Sequence, residues 1–368
     1  MLAAVVIAAA LAVTGEVPMP VRIPGGIASP VIVDHVRAVY LTSGAAGSDQ
    51  FPRYLALLRT TTINALVVDV KDANGRLAFR PESPSLSALA PAHPTISNLR
   101  DRVADIHANG GLAIARIPVF QDSWFAEQTP TEAIRSTSGA LWRDHIGQAW
   151  LDPASERVWN YAIDLAREAA AFGFDEVNFD YIRFPSDGTL ARATYPRWNR
   201  KTPRRAVIAA FARAVDQGVR AQGIRTSADL FGLVFWAKND LGIGQYLEDL
   251  APHFDVLAPM VYPSHYGKGF LGFANPAVEP FAVISETLQK GRQRLQRLPK
   301  NDQPAVRPWL QDFRMGAPYD AAMIREEMRA AADQGSVGWM LWNPLSRYTD
   351  GAIALPSVAE TIFRSFKK

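Results

Sequence analysis

The 368-residue sequence contains no cysteine, which excludes disulfide bonds, thiolate metal sites and cysteine nucleophiles. Its six histidines are scattered, and none forms the HExxH spacing of a zinc hydrolase. Charge is nearly balanced, with 39 basic against 36 acidic residues, and the one local basic run is Arg197–Arg205. Nucleic-acid binding needs a basic stripe, which the sequence lacks. We therefore expect no cofactor, no metal site and no nucleic-acid partner.

Long apolar runs are also missing. The segment Leu2–Val13 is shorter than the roughly 20 residues that a membrane-spanning helix needs. It has the length of the apolar part of a signal peptide, although no Lys or Arg precedes it. We predict an export signal over residues 1–15, a Pro-rich lead-in over 16–35 and a folded domain over 36–368, with an uncleaved start as the alternative. The mature chain is then expected to be periplasmic or extracellular, without a stable membrane span.

From residue 36 onward, short apolar runs alternate with longer amphipathic segments. Near-continuous apolar runs are typical of parallel strands that are buried on both faces. We predict eight such strands, at Val36–Leu41, Ala65–Val70, Leu112–Val119, Glu176–Phe184, Thr226–Phe231, Val256–Val261, Val306–Gln311 and Gly338–Trp342. Helical periodicity is clearest at Ala154–Phe172, Pro203–Gln222 and Asp320–Gln334.

Eight alternating units of this kind predict one fold, a single-domain (β/α)₈ TIM barrel. Glycines stand just before four of the strands, where a helix commonly ends in the left-handed conformation: Gly110, Gly173, Gly223 and Gly335. An open, doubly wound sheet shares the alternation and is the competing fold. No GxGxxG follows the first strand, which argues against the dinucleotide-binding version of that sheet.

The long connections follow strands, so we expect the active site at the C-terminal face of the barrel. Asp180 is the strongest candidate because it lies in a strongly apolar and aromatic segment. Arg183, three residues later, is expected to pair with it and keep it ionised. Asp229 ends the next strand, about 5 Å away laterally. Glycoside hydrolysis uses such a pair of carboxyls, although a structural ion pair and a capping Asp are the alternatives.

Other polar and aromatic residues at strand ends are candidates for substrate binding. Aromatic faces stack on the apolar faces of sugars, and a few polar groups orient them. The predicted binding residues are Asp69, Lys71, Asp72, Arg183, Trp236, Tyr262, Gln311 and Trp342. Asp72 precedes Asn74–Gly75, so a role in shaping a turn is equally open.

The segment Phe174–Gly188 (FDEVNFDYIRFPSDG) resembles a bacterial glycoside hydrolase family related to the α-amylase-like barrels. Further matches lie at residues 65–72, 111–116, 150–153 and 259–263, so the resemblance covers about residues 36–345. It implies a barrel and a carbohydrate substrate. In α-amylase-like barrels the Asp at the end of strand 4 is the nucleophile and a carboxyl at strand 5 is the acid. Asp180 and Asp229 occupy these places, although those enzymes usually carry Glu at the second.

The leading hypothesis is therefore an exported glycoside hydrolase in which Asp180 is nucleophile or base and Asp229 is the acid. A non-catalytic, polysaccharide-binding barrel of the cell envelope is the second hypothesis. The third is a metal-dependent hydrolase that uses Asp69, Asp72 and Asp180, for which Ca²⁺ suits oxygen ligands better than zinc or iron.

Overall fold

A computed structural model describes residues 35–355 of the chain. The predicted export signal lies outside the described residues, as does the Pro-rich lead-in up to residue 34 and the end of the predicted domain after residue 355. No helix within this described range is long and apolar enough to cross a membrane.

Parallel strands form a closed barrel. The strands are β1 (Val36–Leu41), β2 (Ala65–Asp69), β3 (Leu112–Pro118), β4 (Glu176–Asp180), β5 (Arg225–Phe231), β6 (Val256–Met260), β7 (Ala305–Val306 and Trp309–Gln311) and β8 (Gly338–Trp342). Each pairs with the next along the chain, and β8 pairs with β1. The predicted (β/α)₈ barrel is confirmed, and the open sheet is wrong because β8 closes on β1.

Helices lie between the strands. They are α1 (Ser43–Gly47), α2 (Phe51–Thr60), α3 (Leu99–Ala108), α4 (Ser123–Gln128), α5 (Glu156–Ala171), α6 (Arg204–Gly218), α7 (Leu247–Leu250), α8 (Pro280–Leu295), α9 (Ala321–Asp333) and α10 (Asp350–Ile353). The three helices predicted from periodicity correspond to α5, α6 and α9, and each is slightly shorter than predicted. A side-chain cap explains one of these boundaries, because the Ser155 hydroxyl accepts the amide hydrogen of Val158 at the start of α5.

The strand predictions are right within a residue or two, except at β4. This strand ends at Asp180 rather than at Phe184. The next residue, Tyr181, has a φ of 52°, in the left-handed region that non-glycine residues rarely adopt. The chain therefore leaves the barrel immediately after Asp180, at the C-terminal face.

The interior of the barrel carries charged groups as well as apolar ones. Near its lower end, Glu176 lies 3.2 Å from Nε of Arg225, accepts the Ser227 hydroxyl at 2.6 Å and pairs with Arg307. Burial, the largest single effect, would raise the pKa of Glu176, but the two arginines together lower it. The buried charge is thus stabilised by cations within the barrel rather than by water.

Two glycines allow a test of strand closure. Gly338 begins β8 with a φ of 100°, and a Cβ atom there would lie 1.8 Å from the carbonyl oxygen of Val36. Gly110 also has a positive φ, 76°, but a Cβ atom there would meet nothing within 4 Å. We expect Gly110→Ala to lower the free energy of unfolding by about 1–2 kcal/mol, the backbone cost alone. Gly338→Ala should lower it by about 3 kcal/mol or more, because the β1–β8 pairing must also shift. Urea denaturation measures both, and equal losses would contradict the close approach of β8 to β1.

Candidate active site

The barrel strands bring three aspartates and one arginine together at the C-terminal mouth. Asp69 ends β2, Asp180 ends β4 and Asp229 lies near the end of β5. Arg116 lies on β3, directly opposite Asp69 of β2 in the strand register. Alternate residues of a strand face the same side, and these side chains all face inward.

Arg116 is the cation that these carboxylates share. Its Nη1 lies 2.6 Å from Oδ1 of Asp69, its Nη2 pairs with Oδ2 of Asp180, and its Nε lies 3.9 Å from Oδ2 of Asp229. Burial, the largest effect, would lower the pKa of Arg116, but the charges of Asp69 and Asp180 outweigh it and raise that pKa. The guanidinium therefore stays charged and holds the carboxylates at fixed positions.

Asp229 is an almost fully buried acid, with 1% of its surface exposed. Its Oδ1 accepts hydrogen bonds from Nδ2 of Asn178 at 2.8 Å and from the indole Nε1 of Trp309 at 2.7 Å. Burial, and next the negative charge of Asp180, raise the pKa of Asp229 well above its usual value. A carboxyl in such surroundings stays protonated at a pH where an ordinary aspartate is ionised, which suits a general acid.

Asp180 has the opposite surroundings. Its Oδ1 accepts the backbone amide of Tyr181 at 2.5 Å, and its Oδ2 pairs with Arg116. A cation and a backbone amide thus hold this carboxylate, whereas the donors to Asp229 are neutral side chains. The left-handed backbone of Tyr181 brings its amide next to the carboxylate, and such uncommon conformations cluster at functional sites.

Asp69 stands behind Arg116. Its Oδ2 accepts the hydroxyl of Tyr40 at 2.5 Å, while its Oδ1 holds the guanidinium. Burial raises the pKa of Asp69 above its usual value, although the charge of Arg116 acts in the opposite direction. Asp69, which is held by Tyr40, thus positions Nη1 of Arg116, whereas Asp180 contacts Nη2.

A cleft of about 380 Å³ opens above these residues. Its walls combine aromatic and aliphatic side chains with a few charged groups, as in small-molecule and sugar sites. The lining residues are Arg116, Asp180, Tyr181, Arg183, Asp229, Phe231, Gly232, Leu233, Met260, Tyr262, His265, Tyr266, Trp309 and Trp342. Tyr262 and Trp342, which the sequence predicts as binding aromatics, lie side by side with ring centres 5.8 Å apart.

Two predicted binding residues after β2 lie away from the cleft. Lys71 is fully buried, and its Nζ lies 2.6 Å from Oδ2 of Asp122 beneath the loops. Asp72 shapes a turn, because its Oδ1 accepts the backbone amides of Asn74 at 2.8 Å and Arg76 at 3.0 Å. For Asp72 the turn alternative was therefore the right one.

Two further predicted residues hold neighbouring segments together instead of lining the cleft: Trp236 contacts α8, and Gln311 joins two loops. The indole Nε1 of Trp236 donates to the hydroxyl of Thr287 at 2.9 Å. Gln311 is fully buried; its Oε1 accepts the hydroxyl of Ser264 at 2.8 Å, and its Nε2 donates to the carbonyl of Phe313 at 2.9 Å. Its amide joins the loops that follow β6 and β7.

The expected ion pair between Asp180 and Arg183 is wrong. Arg116 of the preceding strand pairs with Asp180, while Nη1 of Arg183 donates to the carbonyl of Phe184 and the hydroxyl of Ser186. The early end of β4 turns Arg183 onto the cleft wall. Arg116 was overlooked, although it is the single charged residue in the predicted strand Leu112–Val119.

Asp69, Asp72 and Asp180, the three carboxylates of the metal-dependent hypothesis, do not form one cluster. Asp69 and Asp180 bind the guanidinium of Arg116, and Asp72 lies in its turn. Across residues 35–355, no group of three or more His, Asp or Glu side chains is placed to hold a metal ion.

Comparison with known proteins supports the resemblance noted in the sequence. Residues 38–348 match the family described as "Putative glycosyl hydrolase domain". The chain belongs to this family. It is thus assigned to the glycoside hydrolases, and the family match spans the whole barrel, from β1 to the loop after β8. A search of curated proteins finds no match.

Solved structures share the barrel. The glycoside hydrolase domain of PgaB (BpsB) from Bordetella bronchiseptica is 14% identical, with 88% of this chain and all of that chain covered and a TM-score of 0.61. The catalytic domain of β-amylase from Paenibacillus polymyxa is 12% identical, with 91% and 99% covered and a TM-score of 0.53. A hypothetical protein from Ruminiclostridium thermocellum ATCC 27405 is 31% identical over 56% of this chain and 98% of its own, with a TM-score of 0.46. The first two likenesses show a common fold.

The surroundings of Asp229 predict a pH-dependent stability. Because its pKa is raised on folding, the unfolded chain releases this proton at lower pH, and stability falls as pH rises above the usual range of aspartate. Asp229→Asn keeps an oxygen for Asn178 and Trp309 but cannot ionise. We expect the variant to match wild type in acid and to become progressively more stable than wild type toward neutral pH, measured by urea denaturation between pH 4 and 8.

The exposed substitution Asp333→Asn is the control and should show no such divergence from wild type. An Asp229→Asn curve that runs parallel to wild type over the whole range would contradict the buried, protonated state of this carboxyl.

Proposed function

We propose that the chain hydrolyses an O-glycosidic bond of a poly- or oligosaccharide in this cleft, with Asp180 and Asp229 as the paired carboxyls. One observation carries the proposal: two aspartates line one cleft beside a shared arginine, and burial together with the charge of Asp180 raises the pKa of Asp229. Glycosidases use such a pair of carboxyls, one of which must be protonated to act as the acid.

In the proposed reaction, Asp229 donates its proton to the oxygen of the departing sugar. Asp180 then acts on the anomeric carbon, either by direct attack or by activating a water molecule. Arg116 and the backbone amide of Tyr181 hold the carboxylate of Asp180 in place. In the direct route, Asp229 next removes a proton from the water that releases the sugar from Asp180.

Arg116 serves as a positioning residue in this scheme. It touches both catalytic carboxyls and is held in turn by Asp69, whose other oxygen binds Tyr40. The positive charge of Arg116 stabilises the carboxylate of Asp180. The carboxyl of Asp229 lies close to the same guanidinium and is proposed to be uncharged. The charge of Asp180 acts against ionisation of Asp229, because two ionised carboxylates repel each other in a buried site.

The aromatic wall is proposed to hold the sugar rings. Tyr262 and Trp342 line the cleft, and Phe313 packs against Trp342 with ring centres 5.2 Å apart. Stacking on such faces orients a sugar without requiring charge. Export of the chain, which rests on residues before 35, would bring this cleft to polysaccharides outside the cytoplasm.

Matched Asp→Asn variants test the assignment. Wild type is screened against a panel of bacterial and plant polysaccharides, and kcat/KM is measured on the glycan that it cleaves. We expect Asp180→Asn and Asp229→Asn to lower kcat/KM by about 10²–10⁴-fold each. Asp229→Asn should retain more activity on an aryl glycoside, whose leaving group needs little protonation.

Asp72→Asn is the control, because Asp72 shapes a turn outside the cleft and an asparagine can form the same turn. Undiminished cleavage by Asp180→Asn would show the assignment to be wrong. Tight binding of a glycan by wild type without turnover, unchanged in Asp229→Asn, would instead favour the polysaccharide-binding barrel.

A further inference from the structure

A buried arginine on the wall of the cleft has no role in the proposed reaction. Arg183 is only 6% exposed, yet it lines the cleft beside Asp180. Its Cζ atom lies 4.8 Å from the ring centre of Trp150, 5.3 Å from that of Tyr181 and 4.7 Å from that of Phe231. These rings fix the plane of the guanidinium by cation–π contacts.

One edge of this guanidinium is unused. Nη1 donates to the carbonyl of Phe184 at 3.1 Å and to the hydroxyl of Ser186 at 3.2 Å. Within residues 35–355, Nε and Nη2 have no hydrogen-bond acceptor, and neither is completely shielded from solvent. Nε and Nη2 form the edge with which arginine binds both oxygens of a carboxylate.

The carboxylates near Arg183 have other partners. Asp180 pairs with Arg116, Asp187 binds Nδ1 of His145 at 2.5 Å, and Asp144 accepts the indole of Trp150 at 2.9 Å. Burial lowers the pKa of Arg183, which reflects the cost of keeping this cation away from water. Arg183 has hydrogen-bond acceptors and aromatic neighbours but makes no ion pair with a carboxylate in the described residues, so an anion bound to its Nε–Nη2 edge would stabilise this buried charge.

We propose that the Nε–Nη2 edge of Arg183 binds the carboxylate of a uronic-acid unit, so that the cleft is built for an acidic oligosaccharide. The inference rests on the proposed function, since it places the glycan in the same cleft. A carboxylate is planar and can meet both coplanar N–H groups at once. Because Asp180 and Arg183 line the same cleft, the acidic unit would lie close to the bond that is cleaved.

Carboxyl reduction of the glycan provides a test that needs no protein variant. Oligosaccharides of polygalacturonate, alginate and hyaluronan are compared with their carboxyl-reduced forms by calorimetry, on full-length Asp229→Asn so that they are bound without cleavage. We expect at least one of the three acidic glycans to bind about 10–100-fold more tightly than its reduced form, as a bidentate ionic contact provides. If no acidic glycan is preferred over its reduced form, the proposal is overturned.

Substitutions then assign the preference to Arg183. In the same Asp229→Asn background, Arg183→Gln should abolish the preference, and Arg183→Lys, which keeps the charge but loses the fork, should retain a small part of it. Lys201→Gln removes one exposed positive charge from the loop after β4 and should leave the preference intact. Thermal unfolding of each variant shows that the barrel is folded.

The remaining outcomes separate this inference from the proposed function. A preference that survives Arg183→Gln, or tighter binding of sulfated than of carboxylated glycans, overturns the inference. If wild type cleaves neutral glycans through Asp180 without preferring acidic ones, the hydrolase stands and the inference is overturned. If binding of the carboxylate depends on Arg183 but no glycan is cleaved, the inference stands and the hydrolase does not.

Discussion

The arrangement of the carboxyls at the C-terminal mouth of the barrel depends on one guanidinium, that of Arg116. Arg116 binds Asp69 and Asp180 directly and approaches Asp229, so that three buried or nearly buried carboxyls share one cation. Removing it would leave carboxylates without a countercharge in surroundings that water hardly reaches, which is strongly unfavourable. The surroundings of the two central carboxyls differ: Asp180 has the arginine and a backbone amide, whereas Oδ1 of Asp229 has only neutral donors.

Buried carboxylates are also paired with cations further down the barrel axis. Glu176 is held by Arg225 and Arg307 below, and Ser227 links it to Asn178, which in turn donates to Asp229. Buried polar groups of this kind are stable only when each finds a partner. The closed barrel supplies those partners from β4, from β5 and from the residues between the two segments of β7, so the strands as well as the loops define the site.

The sequence was sufficient for the architecture because the strands are short, largely apolar runs and glycines stand at the helix ends. It also singled out Asp180 and Asp229 as carboxyls in apolar strands, and the structure brings both into one cleft. It failed for the ion pair of Arg183 with Asp180, because the left-handed turn at Tyr181 cannot be read from a run that continues to look like a strand. The predicted positions of Lys71 and Gln311 in the cleft were wrong for a related reason. A polar residue at a strand end faces either the mouth or the surrounding loops, and only packing decides which.

Arg116 shows the opposite kind of failure. Its charge within an apolar strand was visible, but its partners come from β2, β4 and β5, and their relative heights depend on the strand register. The register also brings Trp309 of β7 to the carboxyl of Asp229 from across the barrel. Such contacts between distant parts of the chain are fixed by closure of the sheet and not by local sequence.

The most direct test of the central claim is a titration of the aspartate side-chain carboxyls by ¹³C NMR in wild type and in Asp229→Asn. If the surroundings of Asp229 raise its pKa, one carboxyl stays protonated well above the usual range of aspartate, and its resonance disappears in Asp229→Asn. A wild-type spectrum in which every aspartate ionises within the usual range would show that Asp229 is not held as a protonated acid.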